Sequence, residues 1–260
     1  MNNIKICFII SCKINKNYKS YLSFYVNNIN TYYSNAKIIL VDNNSKHKDI
    51  YKEFDENKNI IILENTSDSK FELGAYNFAI EYIITNNLSF DYYICTQDTM
   101  VLENYYDFNN LKVLNIKACP IYLVAHNLIG YYGYDILKYF NLYEENENYY
   151  CCWCFSFIVD HESLLYINNL TKNIIIQNRY KPDNFERFKN DKVYAYTIEF
   201  ESALGKILYK ANNNKLFCLD GDMDNRRYDC HTIDLDSEEA KNTGHFFVKL
   251  SQKKTENTEE

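Results

Sequence analysis

Glycine and proline are scarce: the 260 residues hold six Gly and two Pro. Both fall far below ordinary usage, which excludes collagen-like and Gly/Pro-rich low-complexity architectures. Each remaining Gly therefore marks a place where a side chain is hard to fit. Long apolar runs are missing as well. No segment approaches the roughly 20 apolar residues that span a bilayer, so the chain reads as soluble, with no transmembrane segment. The opening MNNIKICFIISC has only a short apolar run. The polar KINKNYKS follows it without a small-residue cleavage pattern, so no signal peptide is read there. Positive charge is in deficit: 28 Lys and Arg against 35 Asp and Glu leave a formal charge of −7 and a pI of about 5.4. Nucleic acid is repelled overall, and no basic, aromatic-laced stripe overrides that. A local basic pocket for a small phosphorylated ligand stays open. A glycine-rich loop is missing too. The segment after the first apolar run reads ISCKIN, which argues against a dinucleotide-dependent oxidoreductase and against a sugar nucleotidyltransferase.

Hydrophobic residues make up 47% of the chain, enough for one sizeable core or one core with a small appendage. Nine Cys without a signal peptide read as reduced thiols in a cytoplasmic compartment. Heavy use of Asn, Ile, Lys and Tyr points to A/T-rich codons, in a virus or another A/T-rich genome. No repeat and no long linker is visible. The expected organisation is a single domain over residues 1–250, followed by a disordered charged tail at 251–260.

Apolar runs at Lys5–Ile10, Ala36–Val41, Asn59–Leu63 and Tyr92–Cys95 read as buried strands. Helical spacing fits Tyr18–Tyr33 and Leu73–Thr85, with a short helix over His47–Phe54. This alternation predicts βαβ units and a parallel sheet, in which ligands bind beyond the carboxyl ends of the strands. Asp42, Asn65 and Asp98 fall at those ends. Further along, Lys117–Ala125 and Trp153–Val159 read as strands. Tyr131–Phe140, Glu162–Leu170 and Thr197–Tyr209 read as helices, and Asp220–His231 as a polar loop.

The stretch FDYYICTQDTMVLEN, Phe90 to Asn104, brings a lone carboxylate to the tip of a buried strand. Together with other segments it carries a resemblance. VDNNS (Val41–Ser45) resembles the VDDxS turn of nucleotide-sugar glycosyltransferases of the GT-A fold. ENTSDSKFELGAYNFAIEYI (Glu64–Ile83) is similar to their asparagine-then-G-A-x-N-x-A segment, and TQDT (Thr96–Thr99) falls where they carry a DxD metal motif. CWCFSFIVDHESLLYI (Cys152–Ile167), followed by EFESALGKIL (Glu199–Leu208), resembles the acceptor-side block that reads CFGxxSFITHEFL then ERxFG in bacterial and large-virus family 2-like members. The resemblance runs from about Lys5 to Leu208. It implies an α/β fold of the GT-A class: a Rossmann-like three-layer α/β/α sandwich around a mostly parallel sheet. It also implies transfer of a hexosyl or deoxyhexosyl group from a nucleotide-diphosphate sugar to a hydroxyl of a glycan or glycoprotein acceptor.

The resemblance gives each position a task. Asp98 would hold Mn²⁺ or Mg²⁺ against the diphosphate, since hard cations want carboxylate oxygens; the plainer reading is an Asp ending a strand in a turn. Thr96 stands where the motif has its first Asp. Ser11, Asp42, Asn65, Glu72, Gly74, Ala75, Gln97 and Arg226 are the other candidates for the donor side. Asp42 would accept from the base or ribose, or simply form a turn. Gly74 and Ala75 would admit the donor, or pack a helix tightly on a strand. Glu72 would bind a sugar hydroxyl or favour a helix N-terminus. His245 is the candidate second metal ligand. An inverting transferase needs a carboxylate base for the acceptor hydroxyl. Glu201 and Glu199 are the candidates, and Glu201 matches the Glu of ERxFG. Trp153 would stack on a sugar face or pack in the core. The Cys151–Cys154 cluster lacks the spacing of a zinc site. A degenerate member of the fold, binding a nucleotide sugar or glycan without turnover, is the competing expectation.

Overall fold

The computed structural model describes residues 4–14, 19–125, 134–145, 150–152, 155–220 and 246–249. In chain order the elements begin β1 (Ile6–Cys12), α1 (Lys19–Tyr32), β2 (Lys37–Asp42), a 3-10 helix (Lys48–Phe54), β3 (Ile60–Glu64) and α2 (Phe71–Thr85). Next come β4 (Tyr92–Gln97), β5 (Met100–Leu102), α3 (Asn109–Val113), β6 (Ala118–Pro120), β7 (Leu123–Ala125), α4 (Tyr134–Tyr139) and β8 (Tyr150–Cys152). The chain continues with β9 (Phe157–Val159), α5 (His161–Thr171), β10 (Ile174–Asn178), β11 (Phe188–Lys189), β12 (Lys192–Tyr196), α6 (Thr197–Ala211) and β13 (Phe247–Lys249).

The fold is α/β. A six-stranded central sheet has the order β3-β2-β1-β4-β9-β6. Strands β1 to β4 pair in parallel, and β9 runs antiparallel to both β4 and β6. Helices cover both faces, an arrangement consistent with the expected Rossmann-like GT-A class. Strand β1 shows why: all seven of its residues are buried. Ile6, Phe8, Ile10 and Cys12 join the core under α1, with Leu22, Tyr25, Val26 and Ile29. Cys7 and Ile9 join the opposite core, with Ala75, Ala79 and Ile80 of α2, Leu164 of α5 and Leu204 of α6. A strand covered on both faces reads as a continuous apolar run, which is how it shows in the sequence. Helix α5 starts on Asp160, whose side chain accepts from Ser163 N at 2.7 Å, a regular N-cap. Asn77 of α2 and Thr171 of α5 exchange hydrogen bonds of 3.1 and 2.9 Å and tie these two helices together.

Three sequence expectations are corrected. The single strand over Lys117–Ala125 is two strands in separate sheets. Strand β6 ends at Pro120, Ile121 N still donates to Ser156 O at 2.8 Å, and β7 then pairs with β8 instead. The helix over His47–Phe54 is a 3-10 helix over Lys48–Phe54. In the strand expected over Trp153–Val159, only Phe157–Val159 pairs; Phe155 has a left-handed φ of 50°, and 153–154 lie outside the described residues. Of the helix expected over Tyr131–Phe140, Tyr134–Tyr139 is helical, and 131–133 lie outside the described residues. Two features had no sequence signal. Strand β13 pairs antiparallel with β5, directly after the TQDT turn. Strands β10, β12 and β11 form a small sheet of their own, and its β11–β12 hairpin turns on Asn190 and Asp191 at φ 50° and 60°, as a tight two-residue turn requires.

Candidate functional site

Register brings the strand-end residues together. Ser11 of β1 is flanked by Val41 and Gln97, Cys12 faces Asp42, and Asp42 faces Glu64. The ladder continues one residue past the strands: Asp98 N donates to Ser11 O at 3.0 Å and Asn65 N to Asp42 O at 2.9 Å. Ser11, Asp42, Asn65, Gln97 and Asp98 therefore lie along one edge, at the carboxyl ends of the parallel strands, where α/β sheets bind ligands. Glu72 stands in the first turn of α2, which follows β3.

Asp42 is buried, with 2% exposure. Its Oδ1 accepts from Ser45 N at 3.1 Å and from the Tyr51 hydroxyl at 2.9 Å. Its Oδ2 is met only by the Lys48 ammonium, 3.2 Å away, which also meets Glu64 at 2.6 Å. A buried carboxylate oxygen held by a single half-exposed side chain keeps a lone pair open to another donor. Between the two aspartates, burial pushes the Cys12 thiol well above its ordinary range, and the Asp98 and Asp42 charges add to the push. That sulfur stays a neutral thiol.

Asp98 is buried too, and its Oδ2 accepts from Lys13 N at 2.7 Å. Thr96, one pleat deeper, is fully buried, and its Oγ1 lies 2.8 Å from the Tyr25 hydroxyl of α1. The position that carries the first Asp of a DxD motif is thus turned into the core. Half-buried Gln97 accepts from Thr99 Oγ1 at 3.3 Å. Among the described residues no group of three or more His, Cys, Asp or Glu side chains could hold a metal ion. Asp98 can supply one oxygen, while hard divalent cations take six or more. The described donor set therefore does not fit a protein-built Mn²⁺ or Mg²⁺ site. His245 lies outside the described residues, as do Arg226 and Trp153.

The loop from β3 to α2 is knit internally. Asn65 Nδ2 donates to Asn43 Oδ1 at 2.8 Å and to Ser69 O at 3.1 Å, while its Oδ1 accepts from Ser67 N and Oγ at 3.0 and 2.7 Å. Asn43 Nδ2 donates to Phe71 O at 2.6 Å and helps hold Phe71 at a left-handed φ of 60°, an outlier for a bulky residue. A Cβ on Gly74 would lie 2.1 Å from Ser69 O. Close packing inside the chain is thus the reason for this glycine. Ala75 is fully buried between α2 and the sheet.

The small sheet docks on that same loop: Lys70 N donates to Ile176 O at 2.6 Å and Ile176 N to Ser69 Oγ at 3.1 Å. It leads through β12 into α6 and Glu199. This carboxylate has 1% exposure and is paired through both oxygens with the Arg187 guanidinium, Nη1 lying 3.3 Å from Oε2. Arg187 also donates to Tyr194 O at 3.2 Å and lies over the Phe185 ring, 5.3 Å from its centroid. Burial raises the Glu199 carboxyl above the usual range, against the pull of Arg187 and of a Tyr196 backbone hydrogen bond. Glu201, two residues on, is half-buried. Sequence reasoning missed Arg187, which meets Glu199 only through the hairpin, and Lys13, whose position in ISCKIN carries no motif.

All described cysteines are free. Among the described residues, no helix is long and apolar enough to cross a membrane. No protein-family model matches the chain, and no curated protein matches it. Among solved structures the chain is similar to core-mannan synthase A from Aspergillus fumigatus in its Mn/GDP form, at 10% identity and a TM-score of 0.38. That likeness covers 65% of this chain and 64% of the other, less than two thirds of the latter's length.

Proposed function

We propose that the protein is a glycosyltransferase that takes a hexosyl or deoxyhexosyl group from a nucleotide-diphosphate sugar to a hydroxyl of a glycan or glycoprotein, with inversion, in the cytoplasm. One observation carries the reading: the buried Asp42 carboxylate, whose Oδ2 is met only by the half-exposed Lys48 ammonium, at a carboxyl-end edge shared with Ser11, Gln97 and Asp98. A nucleobase N–H can take the place of the Lys48 ammonium at that oxygen, because the half-exposed Lys48 side chain can swing aside to admit it. The diphosphate then extends along the edge towards Asp98. Where a divalent cation, Mn²⁺ or Mg²⁺, accompanies the donor, Asp98 would be its one described protein ligand and His245 the candidate second, the phosphates would have to complete the shell, and the cation would neutralise the leaving diphosphate. Glu201 is the candidate base for the acceptor hydroxyl. Glu199, the second candidate, already spends both oxygens on Arg187.

The acceptor side is the small sheet. A cleft of about 310 Å³ there is lined by Gln177, Asn178, Asn184, Glu186 and Tyr194, with Tyr180 and Phe188 exposed nearby at 63% and 65%. Amides, a carboxylate and bare aromatic faces are the chemistry that holds sugars. Trp153 is a further candidate on this side.

A second reading, binding without turnover, is favoured by Thr96, which faces Tyr25 instead of a ligand. Hydrolysis of a donor sugar in the presence of Mn²⁺ separates the two. The donor reading itself is tested by titrating nucleoside diphosphates into the wild type and Asp42→Asn by calorimetry. Saturable binding that weakens by about tenfold or more in the variant is expected, the worth of a charged hydrogen bond. Equal affinities would remove Asp42 from the site.

A further inference from the structure

The edge that would meet a diphosphate offers few oxygen ligands for a metal but does offer a cation. Lys13 follows β1 directly. Its backbone N–H donates to Asp98 Oδ2 at 2.7 Å, which anchors the residue to the tip of β4. Its exposed side chain reaches across the mouth of the edge, where the ammonium lies over the Phe71 ring, 5.9 Å from the centroid. It faces an aromatic ring, whereas Lys48 on the same edge is held by Asp42 and Glu64. Phe71 keeps a strained left-handed backbone, supported by Asn43. Strain of this kind collects at ligand clamps.

From this juxtaposition we infer that Lys13 is a diphosphate-binding residue, so that this chain recognises its nucleotide through an ammonium and without an obligatory metal. The inference rests on the nucleotide-sugar reading. A lysine is a compact charge on a flexible stem and follows phosphate oxygens readily. Leaving the Phe71 face costs little, because cation–π contacts at exposed sites are weak. A cation of the chain would thus stand in for one recruited from solution. The Asp98–Lys13 backbone bond then positions the ammonium, which gives Asp98 a role independent of any metal.

The test is calorimetric titration of a nucleoside diphosphate and of its parent nucleoside, each in EDTA and in Mn²⁺, with wild type, Lys13→Gln and Lys13→Arg. In EDTA the wild type should bind the diphosphate more tightly than the nucleoside. Lys13→Gln should lose about tenfold on the diphosphate and nothing on the nucleoside, and Lys13→Arg should recover most of the loss. Lys13 is exposed, so Lys13→Gln should keep the wild-type melting point. Diphosphate binding in EDTA that is equal in wild type and Lys13→Gln overturns the inference and leaves the donor reading standing. So does diphosphate binding that is absent in EDTA and restored by Mn²⁺. A wild type that binds neither ligand under any condition removes the donor reading itself, and the inference with it.

Discussion

Replacing Arg187 by Met tests how the second half of the chain is held. The substitution keeps an unbranched apolar stem, removes the guanidinium that lies over Phe185, and leaves the Glu199 carboxylate, 1% exposed, without its counter-charge. Removing one partner of a buried pair costs about 3–5 kcal/mol. The Arg187 side chain is 13% exposed, so water can partly take its place, and about 3 kcal/mol is the expected loss near neutral pH. For a chain of this size that lowers the melting point by roughly 6–12 °C.

The sign with pH follows from the raised carboxyl of Glu199. An acid whose folded pKa lies above its unfolded value favours the fold below the unfolded value, near 4.3 for an ordinary Glu. That contribution is lost as pH rises through the folded value. Without Arg187 the folded value rises further. The gap between Arg187→Met and wild type should therefore be small at about pH 4, where Glu199 is protonated in either state, and widen as pH rises through the carboxylate range. Adding Glu199→Gln to Arg187→Met removes the stranded charge, so the double variant should melt above the single one at about pH 7.5 and lose the extra pH dependence. Calorimetric melting of the three proteins at matched pH decides the matter. An equal deficit at both pH values, or a double variant no more stable than the single, would refute the stranded-charge account.

Gly74→Ala places a Cβ 2.1 Å from the Ser69 carbonyl oxygen and forces the loop that anchors Ile176 to move. A loss of about 1–3 kcal/mol is expected from overpacking, and an unchanged urea midpoint would mean the loop yields freely. Glu201→Gln keeps size and removes basicity, so transfer should fall by roughly 10²–10⁴-fold with donor affinity unchanged. If kinetic assays instead find Glu199→Gln dead and Glu201→Gln active, the base is Glu199.

Strands β1, β2 and β4 were legible because burial on both faces leaves an unbroken apolar run, as in ICFIISC and KIILVD, and the edge strand β3, though only partly buried, keeps the same apolar run. Asp42, Asn65 and Asp98 were legible as strand ends for the same reason. The destinations of their side chains were not. Asn65 turns inward to shape its loop, and Gly74 answers to a neighbouring carbonyl rather than to a ligand. The split after Pro120 and the small sheet were not read, although Ile174–Ile176 is a β-branched run, because both are set by which strands pair across the fold.

Local chemistry in the sequence determined the α/β alternation, the order of the strand-end residues and the lone carboxylate in TQDT. Those properties depend on neighbours a few residues apart: apolar spacing, turn-forming Asp and Asn, and the absence of a glycine-rich loop. Tertiary structure alone decided which of these groups keep unused bonding capacity. Asp42 and Glu199 are both buried carboxylates, yet Asp42 Oδ2 meets only the half-exposed Lys48, while both oxygens of Glu199 meet the largely buried Arg187. The difference arises because a charge partner is recruited through space, across a hairpin or a neighbouring strand. Whether an ionised group is spent on the fold or left for a ligand is fixed by that distance, which spacing along the chain does not encode.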